Sequence, residues 1–146
     1  MKLKKIIISI LIPVAVGIIV GAIISPFMDY KSLELPPLSP PSIAFPIAWT
    51  ILYTLMGISA YLISKTDKVP SIYYIQLFVN ALWSIIFFVF KWRLLAFFWI
   101  LLLIALVIVM IVKFFKINKG AAYLQIPYLL WLLFAAYLNI GIYILN

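Results

Sequence analysis

The sequence has no cysteine and no histidine, and only three of its 146 residues are acidic. Without cysteine or histidine it has no disulfide framework, no zinc site of the usual kind and no thiol or imidazole catalyst. We therefore expect no bound metal. Charged residues make up only 10% of the chain, whereas soluble domains carry about 25%. A soluble globular protein is excluded, because so short a chain cannot bury that much apolar surface.

Apolar and aromatic residues dominate what remains. Hydrophobic residues make up 68% and aromatic residues 17% of the sequence, and the mean hydropathy is +1.30. Disordered chains are polar and poor in aromatics, so disorder is excluded too. The net charge of +8 comes from 11 basic residues spread along the chain, and such a spread does not make a basic nucleic-acid-binding face. Composition predicts an integral membrane protein whose partner is the lipid bilayer, not a nucleic acid.

Charged residues divide the chain into five charge-free stretches, at 6–28, 35–64, 69–90, 94–112 and 120–146. Each is long enough for a helix to cross a hydrocarbon core of about 30 Å. Lipid offers the backbone no hydrogen bonds, and the stretches lack the alternating polarity of barrel strands. We predict an all-α fold, an integral membrane bundle of five transmembrane helices forming a single domain over residues 1–146. The expected helices are Ile6–Ser25, a second from Ile43–Pro46 to Ser64, Ser71–Phe90, Leu94–Val112 and Ala121–Leu145.

Basic residues predict how the bundle is oriented. Eight lie at the N-terminus and in the second and fourth loops, and three, Lys31, Lys91 and Arg93, lie on the other side. Because cytoplasmic loops carry the excess of Lys and Arg, we expect a cytoplasmic N-terminus and an outside C-terminus in a bacterial-type cytoplasmic membrane. The lysine-rich start also resembles a signal peptide, but its apolar run is too long, so we expect a retained helix.

Polar and aromatic residues form faces on three of the predicted helices. The faces contain Trp49 and Tyr53 on the second helix, Gln76, Asn80, Trp83 and Ser84 on the third, and Tyr128, Trp131, Ala135 and Asn139 on the fifth. Two interpretations stay open. The faces line a cavity for a flat, mostly apolar ligand, or the amides join helix to helix and the aromatics pack or anchor the spans.

Two further features bear on function. No Asp, Glu, Lys, Arg or His lies in the middle of a predicted span, which argues against an ion-coupled pump and against acid–base catalysis within the bilayer. The first loop, Pro26–Ser42, contains four prolines, Pro36, Pro37, Pro40 and Pro41. Such a stiff segment is either a lid over the mouth of the bundle or a simple connection.

Three motifs resemble those of a known family. They are Pro40-Pro41 followed by Trp49-x-x-x-Tyr53-x-x-Met56-Gly57, then Gln76-Leu77-x-x-Asn80-x-x-Trp83-Ser84, and then Pro127-Tyr128-Leu129-x-Trp131-x-x-Phe134-Ala135. In this order and on five spans, the sequence resembles the TspO/MBR family, the tryptophan-rich sensory proteins that include the mitochondrial translocator protein.

The resemblance implies a five-helix bundle, commonly dimeric, whose pocket opens toward the first loop and binds porphyrins or related tetrapyrroles. By position, the implied ligand-binding residues are Phe45, Trp49, Tyr53, Asn80, Trp83, Trp131 and Ala135. Trp49 and Trp131 match the two tryptophans tied to light-dependent porphyrin breakdown in some bacterial members, so they would be catalytic only if this protein degrades porphyrin.

Some positions depart from the family pattern. Leu38 and Asp29 stand where the family usually has tryptophan in the first loop, and Trp99 stands where an acidic residue is often found. Ile140 and Ile142 occupy positions at which the sterol motif needs a tyrosine and a basic residue. That motif is therefore not met, and sterol binding has no support from it.

The leading hypothesis is a membrane protein that binds a tetrapyrrole, such as a haem-biosynthesis intermediate, in order to sense, transport or buffer it. Under this hypothesis the protein needs no resident cofactor and no catalytic step, and whether it is an enzyme stays open. One alternative is an enzyme that degrades porphyrin with light and oxygen. Another is a small transporter or scaffold for lipophiles, in which the polar stripe of the third helix only joins helices.

Overall fold

A computed structural model describes residues 2–146, and every regular element in that range is helical. We label the helices α1 (Lys2–Ile24), α2 (Ala44–Ser64), α3 (Ser71–Ser84), α4 (Arg93–Ile117), α5 (Lys119–Leu124) and α6 (Ile126–Leu145). A π-helical turn, Ile85–Val89, extends α3. Five stretches are long and apolar enough to cross a membrane, at Leu3–Phe27, Ala44–Ser64, Ser71–Val89, Arg93–Ile117 and Lys119–Leu145. The predicted five-span, all-α architecture is confirmed.

Helix ends differ from the predicted ones where charge was used to place them. The prediction ended the fourth helix at Val112, whereas α4 continues through Lys113 and Lys116 to Ile117. Long lysine side chains lie along an apolar helix and carry their ammonium groups to water. The charges therefore mark where the helix leaves the hydrocarbon, not where it ends.

Proline divides the last span. The predicted fifth helix is two helices, α5 and α6, which meet at Gln125, and Pro127 lies in the first turn of α6. Proline has no N–H to continue the ladder of the preceding helix, so it breaks the hydrogen bonding there. Pro13, by contrast, lies inside α1, and the helix runs on through it.

The helices close into a ring. α1 packs along α2 and touches α3, α2 packs against α5, and α4 packs against both α3 and α6. Gly57 of α2 makes the first of these contacts possible, because a Cβ atom there would collide with backbone atoms of Ile10 and Ser9. The ring encloses an interior between its helices.

The first loop, residues 25–43, folds back across one end of this ring, which we call the loop end. The side-chain amide of Asn146, at the far end of α6, accepts a hydrogen bond from the Glu34 N–H (3.1 Å) and donates one to the Glu34 carbonyl (2.9 Å). The Tyr137 hydroxyl donates to the Pro37 carbonyl at 2.5 Å. This segment is therefore a cover fastened to α6, as the lid interpretation requires.

Candidate functional site

A cavity of about 380 Å³ lies inside the loop end of the bundle. Its walls come from α1, α2, the end of α3 with its π turn, α6 and the first loop. Most of the wall is aliphatic or aromatic, and its side-chain polar groups are hydroxyls, an amide and the Trp49 and Trp83 indole N–H groups. Such a lining suits a largely apolar ligand whose few polar atoms are met at defined points.

Five of the seven predicted ligand-binding residues line the cavity: Phe45, Trp49, Tyr53, Trp83 and Ala135. The rings of Trp49 and Tyr53 stack, with centroids 5.4 Å apart and planes inclined by 26°. Their positions four residues apart on α2 bring them to one face of the helix. The α2 side of the cavity therefore presents a broad aromatic surface.

Asn80, the sixth predicted residue, lies beside the cavity and is not in its wall. Its side-chain oxygen accepts a hydrogen bond from the Tyr53 hydroxyl (2.6 Å), and its amide nitrogen donates to the Tyr128 hydroxyl (2.8 Å). The Tyr128 hydroxyl donates in turn to Gln76 Oε1 at 2.7 Å. This chain joins α2, α3 and α6, which is the inter-helix alternative, and direct ligand contact by Asn80 stays a prediction.

Trp131, the seventh, lies behind the aromatic wall. Its ring meets Phe45 edge-on at 6.0 Å and Trp49 edge-on at 6.3 Å. The buried indole N–H has no hydrogen-bond partner among residues 2–146. Trp131 therefore touches two cavity-lining rings without lining the cavity itself.

Several wall residues were not among the seven that the resemblance implied. Asn139 lines the cavity and accepts a 3.0 Å hydrogen bond from the Trp83 indole N–H. Its spacing four residues after Ala135 had placed it on the same predicted face of the fifth helix. Phe87 and Phe88 reach the wall on the π turn, and helical periodicity of 3.6 residues does not anticipate that placement.

The sequence analysis also assigned no residue of α1 to the site, although α1 forms part of the cavity wall. Gly17 allows close approach there, because a Cβ atom at this position would lie 2.6 Å from the Tyr53 ring. Gly21, four residues on, also lines the cavity and would meet nothing within 4 Å. Gly17 therefore lets α1 pack closely against Tyr53, whereas Gly21 faces the open space of the cavity.

Charge lies at the edge of the site. Asp29 in the first loop pairs with Arg93 at the start of α4 and with Lys91. Tyr30, also in the loop, is buried and donates a hydrogen bond to the Pro40 carbonyl at 2.5 Å. Burial raises the pKa of the Tyr30 phenol above its ordinary value of 10.0. The Tyr30 hydroxyl thus joins two parts of the loop to each other, and the Asp29 carboxylate joins the loop to α4.

Comparison with known proteins agrees with this architecture. The TspO/MBR family model matches residues 9–145. The chain belongs to the TspO/MBR family. It is 36% identical to tryptophan-rich protein TspO of Archaeoglobus fulgidus, with 100% of this chain and 99% of that protein covered.

Other TspO/MBR relatives come from eukaryotes. The chain is 36% identical to the translocator protein homolog of Schizosaccharomyces pombe, covering 93% of this chain and 88% of that protein. It is also 36% identical to the translocator protein of Ovis aries, covering 77% and 72%. The resemblance carried by the three motifs is confirmed, and the chain is an integral membrane protein of this family.

Proposed function

We propose that this TspO/MBR protein binds a porphyrin or related tetrapyrrole in the loop-end cavity and senses, transports or buffers it. One observation carries the proposal: an apolar cavity of about 380 Å³ has the stacked Trp49–Tyr53 pair as one wall. A flat aromatic macrocycle gains dispersion and quadrupole attraction on such a wall. The Thr50 and Ser84 hydroxyls line the cavity and can accept hydrogen bonds from its polar atoms, whereas the Asn139 amide already bonds to Trp83 and Arg93.

The test is a titration of the detergent-purified protein with protoporphyrin IX in the dark, followed by tryptophan fluorescence. We expect saturable quenching at micromolar concentrations. Trp49→Leu removes one aromatic contact, and aromatic pairs contribute about 0.5–1.5 kcal/mol, so affinity should fall roughly 2- to 12-fold. Trp92→Leu is the matched control, because Trp92 is exposed, stacks on Phe90 and does not line the cavity. Equal affinities of the two variants, or no saturation, would refute the proposal.

Light- and oxygen-dependent porphyrin degradation is the second candidate. The contact between the Trp49 and Trp131 rings, 6.3 Å between centroids, favours it. A bound porphyrin excited by light would take an electron from Trp49 and pass it to oxygen, and Trp131, in contact with Trp49, would supply the replacement electron. Illumination of the bound complex in air separates the candidates. If the protein only binds porphyrin, the absorption spectrum of the bound porphyrin should change under light no more than that of free porphyrin. If it degrades porphyrin, a new product should appear, and Trp49→Phe should abolish its formation.

Orientation and assembly belong to the proposal as well. We infer a cytoplasmic N-terminus, an outside C-terminus, a bacterial-type cytoplasmic membrane and a homodimer. The sequence has no cysteine, so single cysteines at Lys4 and Tyr143 report sidedness through a membrane-impermeant thiol reagent on intact cells. Labelling at Tyr143 alone is expected. Light scattering of the purified protein measures its mass.

A further inference from the structure

The structure holds the first loop onto the bundle by two different kinds of contact. At Asn146 and Tyr137 the loop makes neutral hydrogen bonds to α6 through its own backbone. At Asp29 it uses a charge: both carboxylate oxygens accept from Arg93 Nη2 at 2.9 Å, and Lys91 Nζ lies 3.5 Å from one of them. Both ion pairs found within residues 2–146 share Asp29.

Arg93 is also part of the frame around the cavity. Its guanidinium group lies over the Phe87 ring, 5.0 Å from the centroid, and its carbonyl accepts a 2.8 Å hydrogen bond from the Asn139 amide. The same Asn139 side chain accepts from the Trp83 indole. Phe87, Asn139 and Trp83 all line the cavity, so Arg93 touches the cavity wall on one side and the loop on the other.

Burial makes this ion pair different from a surface one. The Arg93 side chain is 11% exposed and the Asp29 side chain 21%. An exposed pair contributes little, because water and salt screen it. A partly buried, charge-assisted hydrogen bond is stronger, and removing one partner leaves the other without compensation.

We propose that the Asp29–Arg93 ion pair is a latch that holds the first loop closed over the cavity. Arg93 is a positioning residue, because its contacts with the cavity wall determine how strongly it binds Asp29. A ligand that shifts Trp83 or Phe87 moves the groups that hold Arg93 in place. By linkage, a change in latch strength also changes how firmly the cavity retains its ligand. The latch itself does not depend on which ligand binds, whereas its coupling to the cavity rests on the proposed function.

The first test measures loop opening without any ligand. Because the sequence has no cysteine, Ser84→Cys introduces a single thiol in the cavity wall, at a residue that is 7% exposed. A charged, membrane-impermeant methanethiosulfonate reaches it from water when the loop opens. In this background we expect Asp29→Asn to raise the modification rate about five- to tenfold. The lost interaction should be stronger than an exposed ion pair and weaker than a fully buried hydrogen bond to a charged group.

Glu34→Gln is the matched control. It removes the same charge from the same loop, but the contacts of Glu34 with Asn146 are made by its backbone. We expect its rate to equal that of the parent. Equal rates in Asp29→Asn and Glu34→Gln would overturn the latch.

A second measurement addresses the coupling. Protoporphyrin IX should dissociate about five- to tenfold faster from Asp29→Asn than from Glu34→Gln if the latch retains the ligand. Equal dissociation rates, with the difference in thiol modification intact, would overturn the coupling and leave the latch. Failure of porphyrin to bind at all would refute the proposed function, and the thiol result would still decide the latch.

Discussion

Asn80→Leu tests whether the amide at the centre of the bundle holds helices together. In the native protein this side chain accepts from Tyr53 on α2 and donates to Tyr128 on α6, and it is 1% exposed. Leucine is of similar size but offers neither bond. The Tyr53 hydroxyl then loses its acceptor, while the Tyr128 hydroxyl still donates to Gln76.

The magnitude follows from the two lost bonds. Hydrogen bonds between membrane helices average about 0.6 kcal/mol and reach about 1.7, and an orphaned buried hydroxyl costs about 1–3 kcal/mol. We therefore expect the free energy of unfolding to fall by about 1–2 kcal/mol, with or without porphyrin. Reversible unfolding in mixed micelles of mild and denaturing detergent measures it.

Two controls sharpen this prediction. Phe78→Leu changes a residue on the same helix that is 65% exposed, and it should shift the free energy of unfolding by less than about 0.5 kcal/mol. A double-mutant cycle of Asn80→Leu with Tyr53→Phe should give a coupling of about 0.6–1.7 kcal/mol. An Asn80→Leu protein of native stability that has lost porphyrin affinity would refute the reasoning and assign Asn80 to the ligand.

Three further predictions concern packing and the loop. Gly57→Ala should lower the free energy of unfolding by about 1–3 kcal/mol, because its Cβ meets the backbone of Ile10; a melt at native temperature would contradict this. Gly141→Ala should speed thiol modification in the cavity, since its Cβ would lie 2.7 Å from the ring of Pro36; an unchanged rate would show that the loop adapts. From neutral pH to about pH 10 docking of the loop should not change, and it should weaken as the pH rises further. Docking buries the Tyr30 phenol and raises its pKa, so deprotonation of the phenol opposes docking. A nitroxide on the loop should report this loosening by its mobility, and Tyr30→Phe should remove the phenol's share of it.

Local sequence was sufficient for the spans but not for all of their ends. Charge-free stretches fix which segments cross the membrane, because a charge in hydrocarbon is expensive wherever the helix packs. The same rule placed the end of the fourth helix too early, since Lys113 and Lys116 lie on α4 itself. It also predicted one fifth helix where the structure has α5 and α6, because the effect of Pro127 is on the backbone and not on charge.

Helical periodicity identified the inward faces but not the depth of each residue on them. Trp49, Tyr53 and Trp83 were expected at the cavity and line it. Asn80 and Trp131 share those faces, yet Asn80 bonds to two tyrosines and Trp131 lies behind Phe45 and Trp49. The helical period of 3.6 residues predicts on which face of the helix a side chain lies. The packing of the neighbouring helices determines which groups that side chain contacts.

The sequence by itself determined that this protein lies in a lipid bilayer, which five segments cross it and which family it belongs to. These properties depend on composition and on motifs within single helices. Tertiary structure alone decided which polar groups are already paired and where the loop is fastened. Asp29 and Arg93 are 64 residues apart in the chain, and no local pattern relates them. Their contact exists because the ring of helices brings the start of α4 to the loop end of the bundle, where a carboxylate can meet a largely buried guanidinium group.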